Sequence, residues 1–104
     1  MYAIKPTDRQ WIAAKQTGVE RCVLWEQAGG GRTALIRMAQ GARIEAHDHL
    51  GREEVLVLSG RLRLGGFELG EGDYHHTGPG ERHEVEALED CVFHAMTEKV
   101  IAGR

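Results

Sequence analysis

The residues with the strongest chemical signal are two histidines and a glutamate that lie just before the most apolar segment of the chain. His47 and His49 are two positions apart, and Glu53 follows after a turn marked by Gly51. Residues two apart in a strand point to the same side, so both imidazoles could bind one metal ion at about 2.0–2.1 Å. If the chain turns at Gly51 into the neighbouring strand, the carboxylate of Glu53 can reach the same ion. Glu54 is the competing carboxylate, but strand alternation favours Glu53.

A third histidine follows a tight turn further along the chain. The segment from Gly72 onward contains a strand, then a Gly-Pro-Gly turn at 78–80 and then His83, which opens the next strand. Such a turn can return the side chain of His83 to the interior that His47 and His49 face. Three imidazoles and one carboxylate suit Fe²⁺, Zn²⁺, Mn²⁺, Ni²⁺, Co²⁺ or Cu²⁺, whereas Ca²⁺ prefers oxygen ligands. The sequence therefore predicts one divalent transition metal per chain, with Fe²⁺ and Zn²⁺ as the leading candidates.

The elements that would position these residues are short strands separated by glycine turns. Glycine occurs 14 times and proline twice, and the glycines fall between short apolar runs, which is typical of all-β proteins. The turn spacing of roughly 8–12 residues favours a sandwich or a small barrel. A short helical turn is expected over Thr7–Ala14, with Trp11 against the barrel end. Strands are predicted over Glu20–Glu26, Thr33–Ala39, Arg43–His49, Glu53–Leu58, Arg61–Leu64, Phe67–Leu69, Asp73–Thr77, His83–Ala87 and Cys91–Thr97.

Alternation within these strands predicts which side chains face inward. Arg61 and Arg63 should point to solvent and their leucine neighbours inward. The run 55–58 is apolar at every position, so both of its faces should be covered, one by the barrel interior and one by a second sheet or a second subunit. We therefore predict a homodimer. The candidates for a largely apolar pocket lining, with few inward cationic groups, are Ile36, Met38, Val55, Val57, Leu62 and Leu64.

The strand over Asp73–Thr77 offers polar groups for the same pocket. Tyr74 and His76 share one face of it, and His75 is expected to face solvent. Tyr74 and His76 are therefore the candidate catalytic residues, which could orient an enolate or phenolate. His94 lies among apolar neighbours in the last strand and is interpreted as a hydrogen-bonded core histidine.

The composition of the chain excludes several classes of protein. The net charge is −3, which gives no basic footprint for nucleic acid. No apolar run approaches the ~20 residues of a membrane span, and the first residues lack the apolar stretch of a secretory signal. A cytoplasmic location is therefore expected, with Cys22 and Cys91 as reduced core thiols. The length predicts a single domain over residues 1–104.

The two glycine-punctuated segments resemble the two motifs of the cupin family. The first, over residues 41–60, has the opening glycine, the His-x-His pair, the glutamate and the closing glycine at the family's spacing. The second, over residues 72–87, has the glycine, the Pro79-Gly80 turn and the histidine. It departs at Gly78, where the family usually has proline, and at Ala87, where an asparagine is often found. The segments TGVERCVLWEQAGGGRTALIRMAQGARIEAHDH and GDYHHTGPGERHEV are similar to the ChrR-like subgroup in particular.

This resemblance implies a fold and a set of functions. Cupins are single jelly-roll barrels with the metal inside, often homodimers, and here the ligands would be His47, His49, Glu53 and His83. The subgroup includes the metal-binding domain of zinc anti-sigma factors and single-domain dioxygenases that cleave β-diketones or hydroxyacetophenones.

Three functions fit these expectations. The first is a metal-dependent dioxygenase or lyase that acts on a small apolar or aromatic carbonyl compound, which requires open metal positions and a small-molecule pocket. The second is a non-enzymatic zinc-binding sensor similar to the anti-sigma-factor metal domain. The third is a sugar isomerase or epimerase, whose pocket should carry several inward Lys, Arg or Asn side chains.

Overall fold

The computed structural model describes residues 1–99, except for the side chain of Asp48. Residues 100–104 of the predicted domain lie outside this part. It is almost entirely β, which confirms the predicted fold class. A one-turn 3-10 helix at Pro6–Asp8 precedes ten strands: β1 Ile12–Ala13, β2 Val19–Glu26, β3 Arg32–Met38, β4 Arg43–Asp48, β5 Glu53–Ser59, β6 Arg61–Leu64, β7 Phe67–Gly70, β8 Tyr74–Thr77, β9 Arg82–Ala87 and β10 Cys91–Thr97.

The strands form two antiparallel sheets in the arrangement expected of a jelly roll. The larger sheet has the order β1-β2-β3-β10-β5-β8, and the smaller sheet has the order β4-β9-β6-β7. The inner faces of the two sheets pack a continuous hydrophobic core. Its largest fully buried side chains include Met38, Leu62, Leu64, Val55 and Val57. Within residues 1–99, no helix is both long enough and apolar enough to span a bilayer.

The N-terminal segment differs from its prediction. A helical turn was expected over Thr7–Ala14, but the 3-10 turn is shorter and earlier, and the chain then adds the two-residue β1 to the edge of the larger sheet. Pro6 has the fixed φ that suits the start of such a turn. Hydrogen bonding of Ile12 and Ala13 to β2 then takes the place of helical bonding. The ring of Trp11 lies under the Arg37 guanidinium, 4.1 Å from its carbon to the ring centroid.

The side chains of β5 and β6 that strand alternation predicts to face inward are buried. The outer face of β5, in contrast, is partly exposed. Arg61 and Arg63 of β6 point outward as predicted, and they form ion pairs there, Arg61 with Glu68 and Arg63 with Glu86. On β5, Val55 and Val57 are buried, whereas Leu56 and Leu58 are 41% and 38% exposed. The second cover predicted for the outer face of β5 is therefore not supplied by residues 1–99.

Candidate metal centre

The candidate metal centre is built where β4 and β9 pair. The register of these two strands places His47 directly opposite His83. His49 lies one residue beyond the end of β4 and two residues after His47, so it projects to the same side as His47. His49 and His83 are each 6% exposed, and His47 is half-buried. Strand period and cross-strand register thus bring the three imidazoles together.

The three histidines converge closely enough to hold one ion. One ligand atom from each of His47, His49 and His83 lies within 4.8 Å of the other two. The ring centroids are 4.6 Å apart for His47 and His49 and 4.4 Å apart for His49 and His83. Imidazoles that bind a common ion at about 2 Å must have nitrogens separated by no more than about 4 Å. The cluster is close to this geometry.

Backbone carbonyl groups orient two of the rings. Nδ1 of His47 donates to the carbonyl oxygen of Glu45 at 2.9 Å, and Nδ1 of His49 donates to that of Glu81 at 3.1 Å. A carbonyl oxygen can only accept, so a neutral ring in this arrangement has its lone pair on Nε2. Metal-binding histidines usually have such a second hydrogen bond. These two residues therefore fit the role of neutral Nε2 ligands.

The Gly-Pro-Gly turn joins the two motifs. The N–H of Gly80 donates to the carbonyl oxygen of His49 at 2.8 Å. Gly80 has a φ of +80°, a conformation that glycine adopts without the steric cost that a Cβ adds. This turn fixes where β9 begins, and therefore where His83 lies relative to His49.

Glu53 lies beside the histidines, and Glu54 does not. The Glu53 Oε1 atom is 3.3 Å from Nε2 of His83 and 3.7 Å from Nε2 of His49. Burial of the Glu53 carboxyl acts to raise its pKa, but hydrogen bonds and charge interactions with His49 and His83 outweigh this effect and lower the pKa to about 2. Glu54 points to the opposite face, where it accepts from the Tyr74 hydroxyl at 2.6 Å.

The structure places the candidate catalytic residues on the wrong side of β8 for contact with the histidines. Tyr74 and His76 are exposed on the outer face, whereas His75 is half-buried and Thr77 is buried. The register with β5 is the cause, because His75 lies opposite the inward Val55. The expectation that His75 faces solvent is therefore also wrong. Its ring centroid lies 6.2 Å from that of His83, and burial, aided by the charge of His83, lowers the pKa of His75.

His94 does not enter the core either. It is half-buried on the outer face of the larger sheet, between Leu35 of β3 and Leu56 of β5. The inward residues of β10 are its neighbours Phe93 and Ala95.

A cavity of about 260 Å³ opens beside the histidine cluster. His47, Glu53 and His83 contribute to its wall. Of the six residues predicted to line the pocket, only Ile36 lies in this wall, because the other five are packed in the closed core. The remaining residues of the wall are Ala13, Ala14, Lys15, Gln16, Val19, Arg21, Arg32, Ala34, Ile44, Val85, Ala95 and Thr97.

The prediction of few inward cationic side chains is wrong. Lys15, Arg21 and Arg32 all line the cavity. A signal for Arg32 was present in the sequence, because it continues the alternation of Ala34 and Ile36 along β3. Arginine is mostly a surface residue, so sequence reasoning does not assign Arg32 to the interior even though its position in the alternation points inward.

The donor set fits a divalent transition metal. Neutral imidazoles with a nearby ionised carboxylate are the ligands of zinc and mononuclear iron sites, and they are unsuited to calcium. His47, His49 and His83 could therefore hold one metal ion at the wall of a cavity large enough for a small organic molecule.

Comparison with known proteins places this site in a family. The profile of the ChrR cupin-like domain matches residues 1–101. A chain in the crystal structure of Rhodobacter sphaeroides SigE in complex with the anti-sigma ChrR aligns with a TM-score of 0.79 at 27% identity, over 90% of this chain and 52% of that one. The present chain thus spans about half the length of that relative. A search of curated proteins found no match.

More distant structures share the fold. The polyketide cyclase RemF from Streptomyces resistomycificus aligns with a TM-score of 0.82 at 18% identity, over 93% of this chain and 78% of its own. An acetylacetone dioxygenase from Acinetobacter johnsonii aligns with a TM-score of 0.78 at 15% identity, over 93% and 72%. Since the family profile covers nearly the whole chain and both sheets agree with cupin structures, this protein belongs to the ChrR cupin-like domain family.

Proposed function

We propose that this protein binds one divalent transition metal through His47, His49, Glu53 and His83 and uses it in the oxygen-dependent cleavage of a small carbonyl compound. The observation that carries the proposal is that the histidine cluster opens onto a cavity. His47, His83 and Glu53 lie in the wall of that 260 Å³ space. A purely structural metal site needs no such space, because its ligands close around the ion.

Each residue has a defined part in this proposal. The carbonyl oxygens of Glu45 and Glu81 accept from Nδ1 of His47 and His49, so Nε2 would be the atom of each ring that binds the ion. Glu53 stays ionised at neutral pH and offsets part of the metal charge, while the Thr97 hydroxyl donates to its Oε2 atom at 3.3 Å. Four protein ligands on an octahedral ion leave two positions for a substrate. A bound metal would supply Lewis acidity and, if it is iron, redox chemistry at those positions.

A zinc-binding regulatory role is the second candidate. It is favoured by the 27% identity with a chain of the SigE–ChrR complex, which exceeds the identity with the dioxygenase and the cyclase. In this alternative the metal would stabilise a domain that acts on a protein partner, and the cavity would have no substrate.

Metal analysis and oxygen uptake separate the two candidates. Protein purified without added metal should contain iron if the first is correct and tightly held zinc if the second is. The iron-loaded protein should consume oxygen with a β-diketone, a hydroxyacetophenone or a catechol. His49→Ala should abolish both metal binding and oxygen uptake, while the control His76→Ala, on the outer face of β8, should retain both. A Co²⁺-substituted centre that accepts no azide would contradict the enzyme proposal.

We further propose a homodimer and a cytoplasmic location. The exposed Leu56 and Leu58 on the outer face of β5 support a second subunit as the missing cover. Cys22 and Cys91 are both buried as free thiols, which supports a reducing compartment.

A further inference from the structure

The cavity beside the histidines is cationic although the protein as a whole is acidic. Lys15, Arg21 and Arg32 line it, and Glu53 is the only carboxylate residue of the described wall. The chain has a net charge of −3. A cleft lined by one sign of charge concentrates ligands of the opposite sign, because its low-dielectric walls focus the field. The cavity therefore favours anions.

Arg21 differs from Arg37 and Arg43 in that no described carboxylate is paired with it. On the outer faces, Arg37 pairs with Glu20 at 3.0 Å and Arg43 pairs with Glu84 at 3.1 Å. Arg21 points inward from β2 and is half-buried, and no carboxylate among the side chains that the structure describes forms an ion pair with it. A partly buried cation without a partner costs free energy. An anionic ligand would relieve that cost.

Arg32 lies in the same row of the sheet as Glu53. In the larger sheet, Arg32 of β3 is opposite Thr97 of β10, and Thr97 is opposite Glu53 of β5. Two strand spacings separate the backbones of Arg32 and Glu53, which is about 10 Å. The side chains of Arg32 and Glu53 both line the cavity, so the space between these two backbones is shared by the side chains and by any molecule bound between them.

We propose that the ligand of this cavity is a small carboxylate-bearing carbonyl compound. Its carboxylate is held by Arg21 and Arg32, whose planar guanidinium groups match carboxylate geometry. Its carbonyl end faces the histidines, and the apolar side chains of Ile36, Ile44 and Val85 contact the carbon chain between. This inference rests on the proposed function for the role of the carbonyl end, but the recognition of the carboxylate is independent of it.

The test compares two probes that differ by one carboxylate, acetylacetone and acetopyruvate, by calorimetric titration of the zinc-loaded protein. Acetopyruvate should bind at least tenfold more tightly. Arg21→Gln and Arg32→Gln should each weaken acetopyruvate binding at least tenfold, leave acetylacetone binding unchanged and leave the zinc content unchanged. The control Arg61→Gln, at an outward arginine paired with Glu68, should change nothing. Added salt should weaken only the binding of acetopyruvate.

Acetopyruvate is also the more acidic diketone and the stronger chelator, so it could bind zinc more tightly than acetylacetone without any help from the arginines. The decisive measurement is therefore the loss of acetopyruvate affinity in the arginine variants. Acetopyruvate affinity that is unchanged in both glutamine variants overturns the inference. If a glutamine variant fails to fold, Arg32→Lys and Arg21→Lys replace it, since they keep the charge but lose the two-point geometry. In them, only acetopyruvate affinity should fall. If oxygen uptake fails but the dependence on Arg21 and Arg32 persists, the proposed function is wrong and the anion site stands.

Discussion

At the scale of single residues, two threonines near Glu53 differ in their hydrogen bonding. Thr97 donates its hydroxyl to Oε2 of Glu53 at 3.3 Å. Thr77 lies directly opposite Glu53 on β8 and is 3% exposed. Its Oγ1 atom is buried without a hydrogen-bond partner among the atoms that the structure describes. A buried hydroxyl that is unsatisfied contributes nothing that a methyl group would not.

We expect opposite effects from the same substitution at these two positions. Thr77→Val should leave the free energy of unfolding of the metal-free protein unchanged or raise it by up to about 1 kcal/mol. Thr97→Val should lower it by about 1 kcal/mol, because the carboxylate loses a donor. Urea unfolding measures both changes. Equal destabilisation by the two substitutions would show that Thr77 has a bonding partner in solution.

The low pKa of Glu53 predicts a specific pH dependence in the metal-free protein. Its folded pKa, about 2, lies below the ordinary value of 4.5. The stabilisation is therefore present above pH 4.5 and is lost as the pH falls from there toward 2. Between about pH 5 and pH 3, a range that brackets the ordinary pKa of a glutamate, the free energy of unfolding should fall more in the wild-type protein than in Glu53→Gln. Parallel stability curves for the two proteins would contradict the assigned contacts with His49 and His83.

At the scale of elements, the turn between β5 and β6 depends on a residue without a side chain. Gly60 has a φ of +76°, and a Cβ atom there would lie 2.0 Å from the carbonyl oxygen of Asp90. This close approach lets the turn pack against the segment that leads into β10. Gly72, in the turn before β8, has a similar φ of +86° but open space around it.

Alanine substitution at these two glycines therefore separates the cost of a positive φ from the cost of a steric clash of the new Cβ atom. Gly72→Ala should lower the free energy of unfolding by about 1–2 kcal/mol, which is the cost of a left-handed conformation for an L-residue. Gly60→Ala should cost at least about 2 kcal/mol more, because the backbone of Asp90 must also move. Thermal or urea unfolding provides the comparison. Similar losses at both sites would mean that the β5–β6 turn relaxes freely.

At the scale of the whole molecule, part of one row of side chains on the outer face of the larger sheet is uncovered. Leu35, His94, Leu56 and Tyr74 lie in register across β3, β10, β5 and β8. Leu35 is buried, but Leu56 is 41% exposed and Tyr74 is 54% exposed. Neighbouring exposed side chains with apolar surface, such as those of Leu56 and Tyr74, are candidates for an interaction surface.

We predict that a homodimer forms through this face of the larger sheet. Light scattering at micromolar concentration should give twice the chain mass of 11.5 kDa. Leu56→Glu should convert the protein to a monomer, because it places a charge in the interface. The control Phe67→Glu, at an exposed aromatic residue of the smaller sheet, should remain dimeric. A monomer mass for the wild type across the accessible range would refute the dimer.

The sequence by itself determined the features that depend on local period and turn chemistry. The two-residue period of a strand places His47 and His49 on one side, and glycines mark where the strands end. Nearly every strand therefore agrees with its prediction within one residue. The glutamate beside the histidines is Glu53 rather than Glu54 for the same reason, since Glu53 shares the phase of the buried Val55 and Val57.

Only the tertiary structure decided features that depend on register between distant strands. The four residues of β8 show no apolar alternation, so nothing local fixes which of His75 and His76 turns inward. The hydrogen-bond register with β5 selects His75. The cationic wall has the same origin, because Arg21 and Arg32 become neighbours of the histidine cluster only when the two sheets close around a common interior. Cross-strand pairing joins residues far apart in the chain, and its phase is set by the packing of whole sheets.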